Sequence, residues 1–194
     1  MIRYKLTDAE IRTNNGRHLW TPGEWFTATE KSNLPCTTGV VHYYDSPRLA
    51  VMFNPVHANI TSPRLWTFET RDEIGHDGLK GWCKTARIVE ELPLPVLSIE
   101  QATTFAIHCA MQVCTAPAWL AWANGWLSGA DRSAAAAWEA ARMPLPPPPS
   151  MAAATAAATA TEAAAATAMK AAATAAAWVH FDMRDKFVEL SEAL

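Results

Sequence analysis

His42, Tyr43, Tyr44 and Asp45 stand side by side in the chain with His57 a little further on, and they form its densest run of reactive side chains. Side chains alternate across an extended strand, so His42 and Tyr44 would share one face and Tyr43 the other. The residues that follow are of the kind that open a helix, with Asp45 or Ser46 as N-cap and Pro47 at the first helical position. A strand ending at such a helix start presents His42 and Tyr44 beside the positive end of the helix, which suits an anionic ligand. The plainer reading is a packed, tyrosine-rich strand followed by an ordinary cap.

A second concentration of functional groups is ETRDEIGHDGLKGW, where Glu69, Asp72, Glu73, His76 and Asp77 are expected on a loop between two strands. Their spacing does not match the calcium loop of an EF-hand, and with Gly75 and Gly78 supplying positive φ the segment also reads as a charged turn. Cys36, His42, His57, His76 and Cys83 carry metal-ligating atoms, yet no two have the short spacing of a zinc site, so no metal is expected. There is no GxGxxG, P-loop or GxSxG, and the favoured reading needs no cofactor. Cys36, Cys83, Cys109 and Cys114 include no CxxC pair and are read as reduced thiols of a cytoplasmic protein.

A β-rich segment must position these groups. Asn15-Gly16 between two short runs is a hairpin signal, because both residues accept positive φ, and Pro22-Gly23 marks a turn before a further strand. Trp20, Trp25 and Phe26 are expected in the core or between strands. Residues 40–44 read as extended. A short helix follows from Pro47 with Leu49, Ala50 and Phe53 on one side, then a strand through 65–69, and another in TARIVEEL that Pro93 and Pro95 terminate. After Pro95 the period becomes helical. Ser98 and Gln101 have capping-box spacing ahead of the stripe Ala102, Phe105, Ala106, Cys109 and Val113. A second helix starts at Pro117, aligns Trp119, Trp122 and Trp126, and stops at Gly129; a third is expected over about 131–142.

The run MPLPPPPS ends that third helix with a polyproline II hinge. Beyond it, residues 151–178 are almost entirely alanine and threonine. Alanine has the best helix propensity, so a rod of about 42 Å is expected. It runs into a tail where Met183, Phe187, Leu190 and Leu194 repeat at helical spacing, a seam of coiled-coil character. Glu162 and Lys170 inside the tract, each costing about 3 kcal/mol at a bilayer centre, argue against a membrane span. The opening MIRYKLTDAE is too charged for a signal peptide. With 16 Lys and Arg against 19 Asp and Glu and no basic run, no nucleic-acid partner is expected.

The segments YKLTD, DSPRLAVMFNPVHANI, EELPLPV and WLSGADRSAAAA resemble an uncharacterised phage and prophage family that pairs a β-rich N-terminal module with an alanine-rich C-terminal extension. The likeness covers roughly residues 4–137, implies a phage context and transfers no catalytic residue. GVVHYYDSPRLAVMF is also similar to the aromatic strand and following helix of ADP-ribosyltransferases. That resemblance implies an NAD pocket with RYKLT as first strand, Tyr44 as pocket aromatic and Glu90 or Glu91 as catalytic acid.

The sequence therefore predicts an α+β protein: an antiparallel β-rich domain over 1–97, a helical segment over 98–143, a hinge over 144–150 and a long alanine-rich helix over 151–194. The favoured function is a non-enzymatic, phage-derived accessory or interaction protein in the host cytoplasm, its arm serving self-association or spacing and a host protein being a further partner. Trp119, Trp122, Trp126, Met183, Phe187, Leu190 and Leu194 are its expected interaction residues. The rival is a small ADP-ribosyltransferase-like enzyme whose NAD pocket is lined by His42, Tyr44 and Glu90.

Overall fold

The structure, a computed structural model, describes residues 2–13, 16–112 and 114–143 together with Glu189 and Glu192. The expected hinge over 144–150, the rest of the alanine-rich helix, and Met183, Phe187, Leu190 and Leu194 lie outside the described residues, as do Asn15 of the hairpin signal and Val113 of the helical stripe. The described residues show an antiparallel β-sheet and four α-helices, an α+β architecture. They fall into two compact units, one built on residues 2–95 and the other beginning at Val96.

In the first unit, β1 (Arg3–Thr7) pairs with β6 (Arg64–His76), and β6 with β7 (Gly81–Leu92), all antiparallel. The other edge of β7 takes two short strands in turn, β5 (Val41–Tyr43) against Gly81–Cys83 and β4 (Phe26–Thr27) against Thr85–Ala86. A small hairpin of β2 (Arg12–Thr13) and β3 (His18–Leu19) stands apart from this sheet. Tyr4 and Tyr44 then exchange both backbone hydrogen bonds at 2.9 Å. That one pair joins β1 to the end of β5, so the circuit β1, β6, β7, β5 returns to its start. Closure removes the free edge of β1 at Tyr4, but no further backbone hydrogen bond joins β1 to β5 among the described residues.

Trp20, Val41, Tyr43, Trp66, Phe68, Cys83 and Ile88 form the core on one side of this sheet. Its two large indoles are satisfied, Trp66 Nε1 donating to Thr7 Oγ1 at 3.0 Å and Trp20 Nε1 to Thr13 Oγ1 at 2.8 Å. Trp25 is not in this core. It is half-buried between the guanidinium groups of Arg71 and Arg87, 3.7 and 4.7 Å from the ring centroid.

Helix α1 (Pro47–His57) starts with Ser46, of the two expected candidates, at the N-cap position, without a side-chain cap hydrogen bond, and with Pro47 in the first turn. Leu49, Ala50, Met52 and Phe53 are fully buried. Past its end, Asn54 donates to the Ile60 carbonyl and accepts from the Ile60 N–H, both at 3.0 Å, which holds the turn over 58–61 in place.

The segment expected as a charged loop is instead strand for most of its length. β6 continues through His76, residues 77–80 turn, and β7 begins at Gly81. Asp77 Oδ1 accepts from the N–H groups of Leu79 and Lys80 at 2.9 Å, so the carboxylate organises the turn from within. Two irregularities interrupt the β6–β7 register, one between Trp66 and Phe68 and one between Glu73 and Gly75. The second inserts Ile74 as an extra residue, so Glu73 and His76 reach the same side although a regular strand would set them on opposite faces.

The second unit contains α2 (Ile99–Met111), α3 (Pro117–Ser128) and α4 (Ala134–Ala141). The capping box forms as spaced: Ser98 Oγ accepts from the Gln101 N–H at 3.1 Å and Gln101 Oε1 from the Ser98 N–H at 2.9 Å. Gly129 at φ 79° closes α3, and Ser133 caps α4. Trp119 and Trp126 are buried and Trp122 is half-buried, so these three do not present the exposed aromatic stripe that a docking surface needs. The Arg132 guanidinium covers the Trp126 ring at 4.7 Å. Trp138, 51% exposed, is the outward indole among the described residues of this unit.

Candidate functional site

Past the Tyr4–Tyr44 pair no backbone hydrogen bond joins the two strands among the described residues, and residues of both line a cavity of about 700 Å³. Lys5 and Leu6 of β1 line it, as do Val40, Val41 and His42 beside and within β5. Further walls come from the β2–β3 hairpin with Arg12, Arg17 and His18, from Trp20 and Phe26, from the Cys36–Thr38 loop, and from His57 to Thr61 at the end of α1. All these residues belong to the first unit.

One side chain gathers three carbonyls of the loop that carries Cys36. Lys84 on β7 donates from Nζ to three backbone carbonyls, Glu30 at 2.9 Å, Ser32 at 2.8 Å and Gly39 at 2.7 Å. Three donors of an ammonium meet three acceptors there. At the tip of this loop Cys36 takes a positive φ of 61° and points its N–H at His42 Nε2, 3.0 Å away. Its thiol is exposed and accepts from Lys80 Nζ at 3.5 Å; the other three cysteines are buried, and all four are unpaired.

The structure brings His42, Tyr44 and His57 to one cavity. Tyr44 Oη and His57 Nδ1 are 2.8 Å apart, the two rings lie nearly parallel at 6.0 Å, and Phe53 stacks on His57 at 5.1 Å. Burial holds the Tyr44 phenol above its ordinary range, with Asp77 and Cys36 adding to the effect, and pushes the His57 imidazole down to about 4. The phenol of Tyr44 therefore keeps its proton beside a neutral His57, and the two share one hydrogen bond. His42 is pushed down to about 3, first by burial and then by the charges of Lys5 and Lys80. It is a neutral ring accepting the Cys36 N–H. His18, wedged against Phe26 at 3.8 Å and Trp20 at 4.5 Å, is also lowered, by burial and by Lys5. At neutral pH the cavity thus offers imidazole and phenol groups as hydrogen-bonding partners and no imidazolium.

Its charge comes from other residues. Arg12, Arg17 and Lys80 line the cavity against one carboxylate, Asp8, which already accepts from the N–H groups of Glu10 and Arg12 at 3.0 and 2.7 Å. Arg12 also pairs with the exposed Glu10. Sequence reading passed over Lys5, Arg17, Lys80 and Lys84. Charged residues outside any basic run give no local signal, and only the pairing of distant strands gathers them.

The carboxylates named from the sequence lie elsewhere. Arg3, 3% exposed, binds Asp45 and reaches Glu73 from Nη2 at 3.2 Å, while His76 Nε2 stands 3.0 Å from Asp45 Oδ2. Thr70 Oγ1 donates to Glu73 at 2.7 Å, and the Tyr43 ring lies beneath the Arg3 guanidinium at 4.8 Å. Neither Arg3 nor any of its partners here lines the cavity. Because Asp45 directly precedes the N-cap of α1, this network ties the β5–α1 junction to the ends of β1 and β6. It acts on the cavity only by fixing where Tyr44 and His57 stand.

Glu90 does not join His42 and Tyr44. It is exposed at the first β6–β7 irregularity, where its N–H donates to Thr67 Oγ1 at 3.0 Å. His42 pairs with Trp82, eight positions back along β7 from Glu90, roughly 25 Å at about 3.3 Å per strand residue. A pocket sharing all three side chains is therefore not formed. Glu91 is paired with Arg64 at the same end. Among the described residues no group of three His, Cys, Asp or Glu side chains is placed to hold a metal ion, and no helix is long and apolar enough to cross a membrane. Comparison of the chain with protein-family models, with curated proteins and with solved structures gives no match.

Proposed function

We propose that the N-terminal unit binds a small anionic organic ligand in the cavity between β1 and β5. The observation that carries this reading is the lining itself: Arg12, Arg17 and Lys80 face one already engaged carboxylate, beside Trp20, Phe26 and the neutral His42, Tyr44 and His57. A concave, partly aromatic site with convergent cations concentrates anions and stacks a planar group. Nucleotide-like compounds have both features, and NAD is the first to try. Transferase chemistry through Glu90 is not part of the proposal.

Thermal unfolding of the full chain with NAD, pyrophosphate and uncharged adenosine tests it. NAD and pyrophosphate at about 10 mM are expected to raise Tm, since a ligand at about 100 times its Kd adds roughly 2.7 kcal/mol. Adenosine is expected to do less, and Arg17→Ala with Lys80→Ala to weaken the anion effect about tenfold or more. No response to either anion, or the same response in the double variant, would overturn the reading.

A second proposal concerns assembly. Residues 151–194 serve self-association or spacing, supported by the alanine tract and by the spacing of Met183, Phe187, Leu190 and Leu194. The expected result is an oligomer whose mass per particle, by light scattering, drops to that of one chain when 150–194 are deleted. Unchanged stoichiometry after deletion removes the self-association role.

A further inference from the structure

Two lysines of the same sheet have opposite surroundings. Lys84 Nζ has three carbonyl acceptors, which match the three N–H bonds of an ammonium. Lys5 Nζ has one, the His42 carbonyl at 2.7 Å. Its other close neighbours are rings, Phe68 with its centroid at 5.4 Å and Trp20 at 5.8 Å, near the limit of about 6 Å at which a ring face attracts a cation usefully. Among the described residues no carboxylate forms an ion pair with Lys5.

A charged ammonium there has two N–H donors with no acceptor among the described residues and ring faces beside them, which disfavours the charged form. A neutral amine uses one N–H for His42 and keeps a free lone pair. Burial independently pushes Lys5 down to about 8, with the nearby Lys80 charge also lowering it and Cys83 opposing. An amine that gives up its proton more readily than an ordinary lysine, in a cavity whose walls attract anions, is the arrangement that carbonyl condensation uses.

We propose that Lys5 is a carbonyl-reactive amine that condenses with an aldehyde or ketone bearing an anionic group. The Nζ lone pair attacks the carbonyl carbon, a C–N bond forms, and the C=O π pair moves to oxygen. The carbinolamine then loses that oxygen, and the two hydrogens of Nζ leave on it as water. Amine plus carbonyl gives imine plus water, with no change of oxidation state. This inference rests on the anion-binding reading for the choice of substrate and on the Lys5 surroundings for the chemistry.

The probe is pyridoxal 5′-phosphate, an anionic aromatic aldehyde, added to the full chain, trapped with borohydride and located by peptide mass mapping, with pyridoxal as the version lacking phosphate. One adduct at Lys5 is expected, at least about tenfold faster with the phosphate than without. It is expected to be lost in Lys5→Arg. Should that variant not fold, the pH dependence of Lys5 labelling in the unaltered protein decides: a midpoint near 8 supports the proposal, and one above about 10, where ordinary lysines titrate, overturns it. Adducts on Lys31, Lys80 and Lys84 with none on Lys5 also overturn it. Equal labelling of Lys5 by both aldehydes supports the amine and removes the anion-binding reading. Tm raised by pyrophosphate with Lys5 unlabelled keeps the anion site and removes the amine.

Discussion

Replacing Gly81 by valine is expected to unfold the N-terminal unit or to destabilise it by more than about 4 kcal/mol, beyond the roughly 1–3 kcal/mol usual for overpacking because the neighbour is rigid. Gly81 begins β7 and is paired on both sides, with Tyr43 of β5 and His76 of β6. The Tyr43 ring lies directly over it, and a Cβ at this position would overlap the ring carbons and the phenol oxygen. That ring, 2% exposed, cannot swing aside, because the Arg3 guanidinium lies 4.8 Å above it. Glycine is needed here for close approach, not for an unusual φ. Urea unfolding of Gly81→Ala and Gly81→Val is the measurement. Truncating the ring with Tyr43→Ala is expected to recover part of the loss, so the double-mutant coupling should exceed about 1 kcal/mol. An alanine variant as stable as the parent would show that the ring is free to move.

Acidification is expected to produce the second large effect. His42 and His57 are held at about 3 and about 4 in the folded protein, against an ordinary 6.5 when the chain is unfolded. Above pH 6.5 both states hold these rings neutral and the shift contributes nothing. Between 6.5 and about 4 the unfolded chain takes up protons that the folded one refuses, so stability falls as pH falls. One pKa unit corresponds to about 1.4 kcal/mol, which puts the loss on the order of 1–3 kcal/mol for each ring by pH 4.5. Burial is the first cause of both shifts; Lys80 adds to both, Lys5 and His57 add to that of His42, and Asp77 opposes both. Urea midpoints at pH 7.5 and 4.5 are to be compared with those of His42→Gln with His57→Gln. The double variant is expected to start less stable at pH 7.5, having lost the bonds to Tyr44 and Cys36, and to lose less between the two pH values. An equal drop in both proteins would mean that the rings titrate normally.

Much of the punctuation was legible in the sequence. Ser46-Pro47 opens α1, Ser98 with Gln101 closes a capping box, and Gly129 ends α3, each where its residue type places it. The apolar positions Leu49, Ala50 and Phe53 are buried on α1 as their spacing requires. These signals act over three or four residues, through fixed φ, side-chain caps and helical period, so neighbours in the chain carry them completely.

The site was legible only in part. His42 and Tyr44 share a cavity as a strand's alternation implies, and His57 joins them through the length of α1. The stretch from Asp72 to His76 reads as loop but is strand, because its acidic residues and glycine mask a strand interrupted by an extra residue at Ile74. The charges on RYKLT gave no hint that Arg3 is buried or that Lys5 has a single acceptor.

What the sequence by itself determined is therefore the start and stop of elements and the faces of the regular ones. The tertiary structure decided where the circuit closes at Tyr4 and Tyr44, which side of the bulge His76 takes, that Glu90 stands apart from His42, and that Lys5 and Lys84 differ in their acceptors. The reason is physical. The β1–β6 register, the closure at Tyr4 and Tyr44 and the acceptors of Lys5 and Lys84 depend on groups 37 to 65 residues apart, and no local pattern encodes how such distant groups share one space.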